Sequence, residues 1–276
     1  MTGSRNHHIE LISKTVTIVE TLRDRPEGLS LHELSLETGQ VKSSVHRILN
    51  SLGRHGYIEQ SSRGGLYRLG IQFLGLAKGV RAGSNLVEVA RPHARILRDQ
   101  FDESTYIAVL RGGHGVFVDV LESGRDLRLL GPLGAQVHFH ATAAGKAMAA
   151  FFPESRRQAL LRGLRESAIT SRTMVASSQI IRAWKRVQRD GYATNDEETI
   201  VGAIFLAAPI FDAADLVCGS ISIGLPKPRY SADLGAEIVT KLKECCRRIS
   251  GDLKAAAYVS RNAFENRKEP GKKVSK

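Results

Sequence analysis

The segment from Leu29 to Leu69 reads LSLHELSLETGQVKSSVHRILNSLGRHGYIEQSSRGGLYRL. When residues 41–54 are wound as a helix, apolar side chains recur at the i, i+3, i+4, i+7 spacing of a buried face. These are Val45, Ile48, Leu49 and Leu52. The opposite face carries short, hydrogen-bonding and cationic side chains, namely Ser43, His46, Arg47, Asn50 and Arg54. A helix with such a face can enter the major groove of DNA and meet base edges and phosphates.

A shorter helix is predicted just before this one. Ser30 and Glu33 have the spacing of a capping box, in which each side chain binds the backbone amide of the other. We therefore expect a helix from Leu31 to about Thr38, where Gly39 ends it, and the short connection that follows is typical of a helix-turn-helix. A third apolar stripe at helical spacing lies upstream and consists of Ile12, Val16, Val19 and Leu22.

Two short strand-like runs follow, at residues 57–59 and 66–69, and the flexible basic loop at residues 61–65 joins them. This is the pattern of a wing, whose tip would place Arg63 near the phosphate backbone or the minor groove. From residue 40 to residue 69, five cationic side chains stand against the single acidic Glu59. The predicted contacts to double-stranded DNA are Lys42, Ser43, Ser44, His46, Arg47, Asn50 and Arg63. The alternative is a small helical bundle with a solvated basic face.

The composition of the whole chain is compatible with a polyanionic partner. Its 276 residues carry a formal net charge of +12 and are numerous enough for two domains. Three cysteines, two of them adjacent, make no disulfide framework and indicate a reducing cytoplasm. The first residues lack the apolar core of a secretory leader, and the longest apolar run, residues 200–211, is too short to span a bilayer. The prediction is a cytoplasmic protein without a membrane partner.

The rest of the chain has the pattern of an α+β domain with an antiparallel sheet. The β-rich runs are at residues 105–110, 116–121, 204–211 and 217–223, and helical stretches are at residues 90–103, 143–152, 178–190 and 232–258. The predicted divisions are an N-terminal tail (1–8), the winged helix-turn-helix (9–70), a linker helix (71–89), the α+β domain (90–258) and a basic disordered tail (259–276). The linker helix would end before Pro92, and its broad apolar face indicates pairing with a second chain.

Several segments together resemble the IclR family of bacterial transcription regulators. The matching segments run in order between about Ile9 and Leu253: Gly28–Leu34, Lys42–Leu49, Tyr67–Gly70, Leu127–Leu130, His140–Ala147, Gly191–Tyr192, Asp196–Glu198, Ala207–Asp212 and Ser220–Ile223. The resemblance implies that a GAF-like effector-binding domain follows the winged helix-turn-helix. It implies a ligand-responsive repressor or activator, with no cofactor and no catalytic residues. It also implies self-association as a dimer or tetramer on an imperfect palindromic operator.

The same resemblance places an effector cavity. Its walls would be Leu129, Ala143, Ala144, Asn195, Phe205, Ser222 and Gly224. The small residues at 143–145 begin a predicted helix, whose amides could bind a carboxylate. Asn195 replaces the usual Asp, Phe205 the usual Cys, and Gly224 a frequent Ser. We therefore expect a more apolar cavity, suited to an aromatic or bulkier organic acid rather than a very small ketoacid. Alternatively, Phe205 plugs the cavity and Gly224 is simply a strand glycine.

Other groups of polar residues give no catalytic prediction. His138 and His140 alternate along one strand, but no Cys or carboxylate stands at ligand spacing beside them, so no metal is expected. The carboxylates at positions 196–198 are expected in a solvated turn or at a helix cap. Ser220 and Ser222 lack a nucleophile elbow and a His/Asp partner. The alternative function is a small-molecule-binding enzyme built on the C-terminal domain, with incidental DNA binding.

Overall fold

The computed structural model of the chain describes residues 9–61, 65–76, 85–131, 133–163 and 168–267, the side chains of residues 85 and 259–267 excepted. The chain divides into two compact units, Met1–Gly83 and Ser84–Lys276. Within the described ranges, no helix combines the length and the apolar character that crossing a lipid bilayer requires.

The first unit consists of three helices followed by a two-stranded hairpin. Its elements are α1 (Glu10–Arg23), α2 (Leu31–Thr38), α3 (Lys42–Arg54), β1 (Ile58–Gln60) and β2 (Tyr67–Leu69). The two strands are antiparallel, with Ile58 opposite Leu69. Helices and hairpin share one core, formed by Ile18, Leu22, Leu29, Leu34, Val45, Ile48, Leu49, Ile58 and Tyr67. The predicted helix-turn-helix is confirmed.

The capping box at the start of α2 forms as the sequence predicted. The Ser30 amide donates to Oε2 of Glu33 at 2.8 Å, and the Glu33 amide donates to Oγ of Ser30 at 3.3 Å. At the other end of the helix, Gly39 has a φ of 65°, in the left-handed region that favours glycine. These two ends fix the length of α2 and the turn that leads into α3.

The buried face of α1 differs from the predicted stripe. Ile18 and Leu22 are buried, whereas Ile12 is 58% exposed and Val16 is 48% exposed. Of the residues of α1, the core contains Ile18 and Leu22, both in the C-terminal half of the helix. Of the apolar stripe in the sequence, Leu22 is thus buried and Val19 half-buried, while Ile12 and Val16 stay exposed.

The second unit is an α+β domain with an antiparallel sheet, as predicted. Its helices are α4 (Asn85–Phe101), α5 (Ala143–Ala149), α6 (Glu154–Gly163), α7 (Ser177–Asp190) and α8 (Ala232–Arg267), with a 3₁₀ turn at Lys227–Arg229. Its strands are β3 (Ser104–Arg111), β4 (His114–Leu121), β5 (Ala193–Asp196), β6 (Ala203–Phe211) and β7 (Val217–Pro226). The strand order is β4-β3-β7-β6-β5, and every neighbouring pair is antiparallel.

Helices cover both faces of this sheet, and successive residues of a strand enter different cores. In β3, Ile107 and Val109 face a core shared with α4 and α8, whereas Ala108 faces a core shared with α5 and α7. In β6, Leu206 belongs to the first core and Ala207 to the second. This two-residue period decides which strand residues can reach a cavity on the α5 side.

The predicted boundary at Pro92 is wrong, because Pro92 lies inside α4. A proline removes one backbone hydrogen bond from a helix. However, the buried residues Val87, Ala90 and Ala94 lie on both sides of it and contribute to the same core, which keeps the helix continuous. Of the predicted linker helix, residues 72–76 are helical and residues 77–84 lie outside the described residues.

The predicted end of the last helix at Tyr258 is also wrong, because α8 continues to Arg267. Extending an existing helix costs little, and the alanines at 255–257 favour it. Residues 259–267 are thus helical rather than disordered, while residues 268–276 lie outside the described residues, as do residues 1–8. The sequence also gave no prediction for β5, which has four residues, or for α6.

Candidate functional site

The exposed face of α3 is polar and cationic. Val45, Ile48 and Leu49 are buried beneath it, which orients the helix. The predicted DNA contacts Lys42, Ser43, His46, Arg47 and Asn50 are exposed, and Ser44 is half-buried. The Asn50 amide nitrogen lies 3.3 Å from Nε2 of His46, one turn away. Among the described residues Arg47 and Lys42 have no ion-pair partner, so both cations are available to an external anion.

The wing is described only in part. The loop residues 62–64, and with them the predicted contact Arg63, lie outside the described residues. Arg68 on β2 donates from Nε to the Glu27 carbonyl at 2.8 Å, which ties the hairpin to the segment before α2. Arg68 therefore contributes to the position of the wing as well as to the local charge.

A cavity of about 250 Å³ lies on the α5 side of the sheet in the second unit. Strands β3, β4, β6 and β7 contribute Tyr106, Phe117, Phe205 and Ser222, and α5 contributes Ala143 and Ala144. The rest of the wall consists of Leu130, Gly131, Ala135, Gln136, His138, Thr142, Ile169, Asn195, Thr199 and Ile200. Five of the seven residues proposed from the sequence thus line the cavity: Ala143, Ala144, Asn195, Phe205 and Ser222.

Leu129 and Gly224, the other two proposed residues, do not line the cavity, but each contacts or adjoins a residue that does. The Leu129 carbonyl accepts a hydrogen bond from the Tyr106 hydroxyl at 2.8 Å. Gly224 stands opposite Phe205 in the sheet, and a Cβ at position 224 would lie 2.4 Å from a ring carbon of Phe205. The missing side chain of Gly224 therefore makes room for the Phe205 ring and adds no ligand space.

Three aromatic rings form one wall of the cavity. The Tyr106 ring centroid lies 5.9 Å from that of Phe205 and 6.2 Å from that of Phe117, both in tilted or edge-on geometry. Burial raises the pKa of Tyr106, so its phenol stays protonated. Phe205 narrows the cavity without closing it. The wall offers ring faces and edges to a planar ligand.

The polar groups of the cavity are uncharged or imidazole groups. Asn195 is buried and uses both ends of its amide internally, donating to Oγ1 of Thr199 at 2.7 Å and accepting from the Glu198 amide at 2.8 Å. The Ser222 hydroxyl and the His138 ring have no hydrogen-bond partner among the described residues. No Asp, Glu, Lys or Arg of the described residues lines the cavity.

The amides at the start of α5 are less open than predicted. Thr142 precedes the helix, and its Oγ1 accepts a hydrogen bond from the Gly145 amide at 3.0 Å. One of the three amides proposed to bind a carboxylate is therefore occupied by this cap. What Ala143 and Ala144 provide is small side chains, which allow a ligand to approach the backbone closely.

A buried ion pair lies behind the cavity wall, between Lys146 of α5 and Glu198. The prediction of a solvated turn or a cap is therefore wrong for Glu198. Asp196 and Glu197 are half-buried, and a carboxylate oxygen of each lies 2.6 Å from Nζ of Lys227. Burial lowers the pKa of Lys146 and raises that of Glu198, and each partner opposes the shift of the other. The only sequence signal for this buried ion pair was the presence of a lysine among the small apolar residues of 143–149.

The residue types that could perform metal or thiol chemistry do not converge. Within the described residues, no three His, Cys, Asp or Glu side chains come together as a metal-binding group. His138 and His140 stand edge to face with ring centroids 6.1 Å apart. Burial raises the pKa of the Cys218 thiol to about 12, which disfavours the nucleophilic thiolate.

Two family descriptions match the chain: the IclR helix-turn-helix domain over residues 11–62, and the bacterial transcriptional regulator IclR C-terminal domain over residues 80–251. The chain belongs to the IclR family. It is therefore a transcriptional regulator with a DNA-binding helix-turn-helix and an effector domain, and the enzyme alternative is not favoured, since IclR-family relatives are regulators.

Named relatives cover most of the chain. The HTH-type transcriptional regulator TtgV of Pseudomonas putida is 29% identical over 84% of this chain and 87% of its own. The regulator XynR of Escherichia coli is 26% identical over 78% of this chain and 85% of its own. The aligned regions thus extend over both units of this IclR-family protein.

Solved structures share the fold. A transcriptional regulator from Rhodococcus superposes with a TM-score of 0.74 at 25% identity, covering 90% of this chain and 100% of its own. An IclR homologue from Microbacterium hydrocarbonoxydans, solved in complex with 4-hydroxybenzoate, gives a TM-score of 0.72 at 22% identity, covering 89% of this chain and 99% of its own. At that identity the second likeness concerns the fold alone.

Proposed function

We propose that this IclR-family regulator reads an operator with the exposed face of α3 and responds to a small aromatic or other organic acid in the 250 Å³ cavity. The observation that carries the DNA-reading role is the division of α3 into a buried apolar face and an exposed cationic one. The protein acts in the cytoplasm, where bacterial DNA is found.

The residues of α3 have distinct roles in this proposal. Lys42 and Ser43, at the start of the helix, contact phosphate, since helix N-termini favour anions. Arg47 and Asn50 lie farther along the exposed face, where they contact base edges in the major groove. Ser44 and His46 complete the contact surface, and Arg63 extends it along the wing.

Self-association follows from apolar surface that the first unit leaves exposed. On or beside α1, the large apolar side chains Ile9, Leu11, Ile12 and Val16 are exposed, as are Ile71, Leu74 and Leu76 after the hairpin. We assign these residues to contacts with a second copy of the chain, in a dimer or tetramer. A dimer would place two α3 helices in successive major grooves, about 34 Å apart, on an imperfect palindrome.

The cavity favours a planar acid of modest size. Its volume of about 250 Å³ lies just below the roughly 300–1,000 Å³ of ligand pockets in general. The rings of Tyr106, Phe117 and Phe205 would hold an aromatic body, while Ser222 and His138 would bind an oxyanion. The homologue of the same fold solved with 4-hydroxybenzoate carries an acid of this kind. Ligand binding would change DNA affinity only to the extent that it favours one arrangement of the protein.

The test is DNA binding by fluorescence anisotropy, with the segment upstream of the protein's own gene and a scrambled duplex. We expect salt-dependent, sequence-specific binding that aromatic acids shift in either direction. Arg47→Ala should weaken binding to the upstream segment and reduce its preference over the scrambled duplex. The control Arg23→Ala removes an exposed arginine that is paired with Asp24 and lies outside α3, and it should keep the preference. Equal binding to both duplexes by the wild type would overturn the proposal.

A further inference from the structure

We propose that a second cleft in the effector domain is a binding site for an organic anion, separate from the 250 Å³ cavity. The cleft has a volume of about 510 Å³ and lies between α6, Trp184 of α7, the start of β4 and the segment 136–140. We call it the α6 cleft. This inference does not depend on the identity of the effector.

Arg156 supplies the cation of the α6 cleft, and three contacts hold it in place. Its guanidinium carbon lies 3.6 Å from the ring centroid of Phe152 and 5.8 Å from that of Phe139. Its Nη2 donates to the Gly113 carbonyl at 2.7 Å. Guanidinium has five N–H donors in a fixed fork, so a single hydrogen bond leaves most of them free for a ligand.

No acidic side chain of the described residues neutralises this arginine. The next residue, Arg157, is paired with Glu154, whereas Arg156 forms no ion pair with any described residue. Burial lowers the pKa of Arg156, because a partly desolvated charge lacks compensation. An anion entering the cleft would restore that compensation and form charge-assisted hydrogen bonds.

The remaining walls indicate an anion with an apolar body. His114 and His138 lie exposed at the cleft, and an imidazole ring can donate a hydrogen bond to an anion. His140 also lines the cleft but is buried. Among the described residues, no Asp or Glu lines the cleft, which would otherwise repel an anion. The apolar part of the wall is formed by Val137, Phe139, Leu160 and Trp184. A carboxylate attached to a ring fits both halves of this surface.

The α6 cleft and the 250 Å³ cavity share part of a wall. Gln136 and His138, two residues of one short segment, line both spaces. A ligand that orders this segment from the cleft side therefore changes the cavity as well. Thermodynamic linkage requires that the two ligands then alter the affinity of each other by the same factor.

The chain contains its own reporter for this test. Trp184 is the single tryptophan among the 276 residues. It lines the α6 cleft, does not line the cavity, and donates from Nε1 to the Phe139 carbonyl at 3.4 Å. We would titrate the full-length protein with benzoate, inorganic phosphate and uncharged benzamide, following Trp184 fluorescence and, in parallel, heat by calorimetry.

We expect benzoate to change the Trp184 fluorescence and to bind more tightly than phosphate, whereas benzamide should have no effect. Arg156→Gln should lower the affinity for benzoate by about tenfold or more, as expected when a hydrogen bond to a charged group is lost. The matched control Arg162→Gln removes an exposed arginine from the same helix that does not line the cleft, and it should bind like the wild type. His114→Ala, an exposed hairpin position, should weaken benzoate without affecting folding, which circular dichroism would check.

Three results would overturn the assignment: equal benzoate affinity in Arg156→Gln and Arg162→Gln, benzoate binding no tighter than phosphate, or no signal by fluorescence and calorimetry. Phe205→Ala separates this proposal from the effector proposal, because Phe205 lines only the cavity. If the Trp184 response survives in that variant while effector binding changes, the two sites are distinct. A Trp184 response abolished by Phe205→Ala, with Arg156→Gln unchanged, would place the anion in the cavity and contradict a second site.

Discussion

Nζ of Lys146 and Oε1 of Glu198 form an ion pair although their side chains are only 2% and 8% exposed. The second carboxylate oxygen, Oε2, is buried without a hydrogen-bond partner among the described residues. Lys146 follows Ala143 by about one helical turn, and Glu198 lies between Asn195 and Thr199 in the sequence. The pair thus connects two walls of the effector cavity from behind.

Removing one partner of this pair should be costly. Lys146→Met is expected to lower the free energy of unfolding by about 3–5 kcal/mol, because it leaves a buried carboxylate unpaired. The double variant Lys146→Met with Glu198→Leu should recover most of that loss. Urea unfolding would measure both. Lys241→Met, which breaks an exposed pair with Glu244, is the control and should change stability by less than about 1 kcal/mol. An unfolding midpoint of Lys146→Met equal to that of the wild type would show that the pair does not stabilise the fold.

Arg47 and Arg63 should differ in how their loss affects DNA binding. Arg47→Ala is expected to weaken operator binding by about 1–3 kcal/mol and to relax the preference at one base pair. Arg63→Ala should weaken all sequences alike and reduce the slope of log K against log salt by about 1. Anisotropy titrations at several salt concentrations, on the operator and on single-base variants, separate the two effects. Identical profiles for the two variants would contradict the assigned roles.

The contact between Phe205 and Gly224 can be tested from either side. Gly224→Ala places a methyl group where the Phe205 ring lies, so the ring must move and ligand affinity should fall. Phe205→Ala should weaken aromatic acids relative to aliphatic ones by about 0.5–1.5 kcal/mol, as expected for a lost ring contact. Ligand-induced shifts in melting temperature measure both changes. Ligand-free DNA binding should stay intact, and unchanged ligand shifts in both variants would remove these residues from the site.

The exposed apolar residues of α1 should control self-association. Ile12→Asp combined with Val16→Asp is expected to shift the protein to monomers, because two charges would be desolvated in the proposed interface. The fold of each chain should be retained, since both positions are exposed within it. Sedimentation at several concentrations measures the change. Leu216→Asp, at an exposed apolar position of the second unit, is the control and should sediment like the wild type.

Lys227 should make stability depend on pH through Glu197. The hydrogen bond from Lys227 lowers the pKa of Glu197 below its ordinary value of 4.5, so folding favours the charged carboxylate. This contribution is present above the unfolded pKa and is lost as the pH falls through the folded pKa. Lys227→Met should therefore have a lower melting temperature than the wild type at pH 7. This difference should disappear as the pH falls below about 4.5. The prediction would be contradicted if the difference in melting temperature stayed constant across this pH range. It would also be contradicted if the difference persisted when Glu197→Gln is introduced as well.

Local sequence signals were sufficient for much of this fold. The buried stripe of α3, the capping box of α2 and the apolar run of β6 each depend on near neighbours in the chain. Such patterns can be read without knowing what the element contacts. They gave the helix-turn-helix and the antiparallel sheet. The five cavity residues came instead from the resemblance to the IclR family.

The features that the sequence did not give depend on distant contacts. Glu198 is buried because Lys146, 52 positions away, compensates its charge, and neighbouring carboxylates alone indicate a surface turn. Pro92 stays helical because residues on both of its sides contribute to one core. Likewise, Gly224 stands opposite Phe205 because of the register between β6 and β7. That register is not evident from the residues predicted to line the cavity.

The opposition of Phe205 and Gly224 means that two positions share the volume of a single side chain. The family pattern, with Cys and a frequent Ser at these places, divides that volume differently. A larger residue at 224 would then be accommodated only together with a smaller one at 205. A larger residue at 224 alone would be disfavoured as an evolutionary intermediate, because it would displace the Phe205 ring.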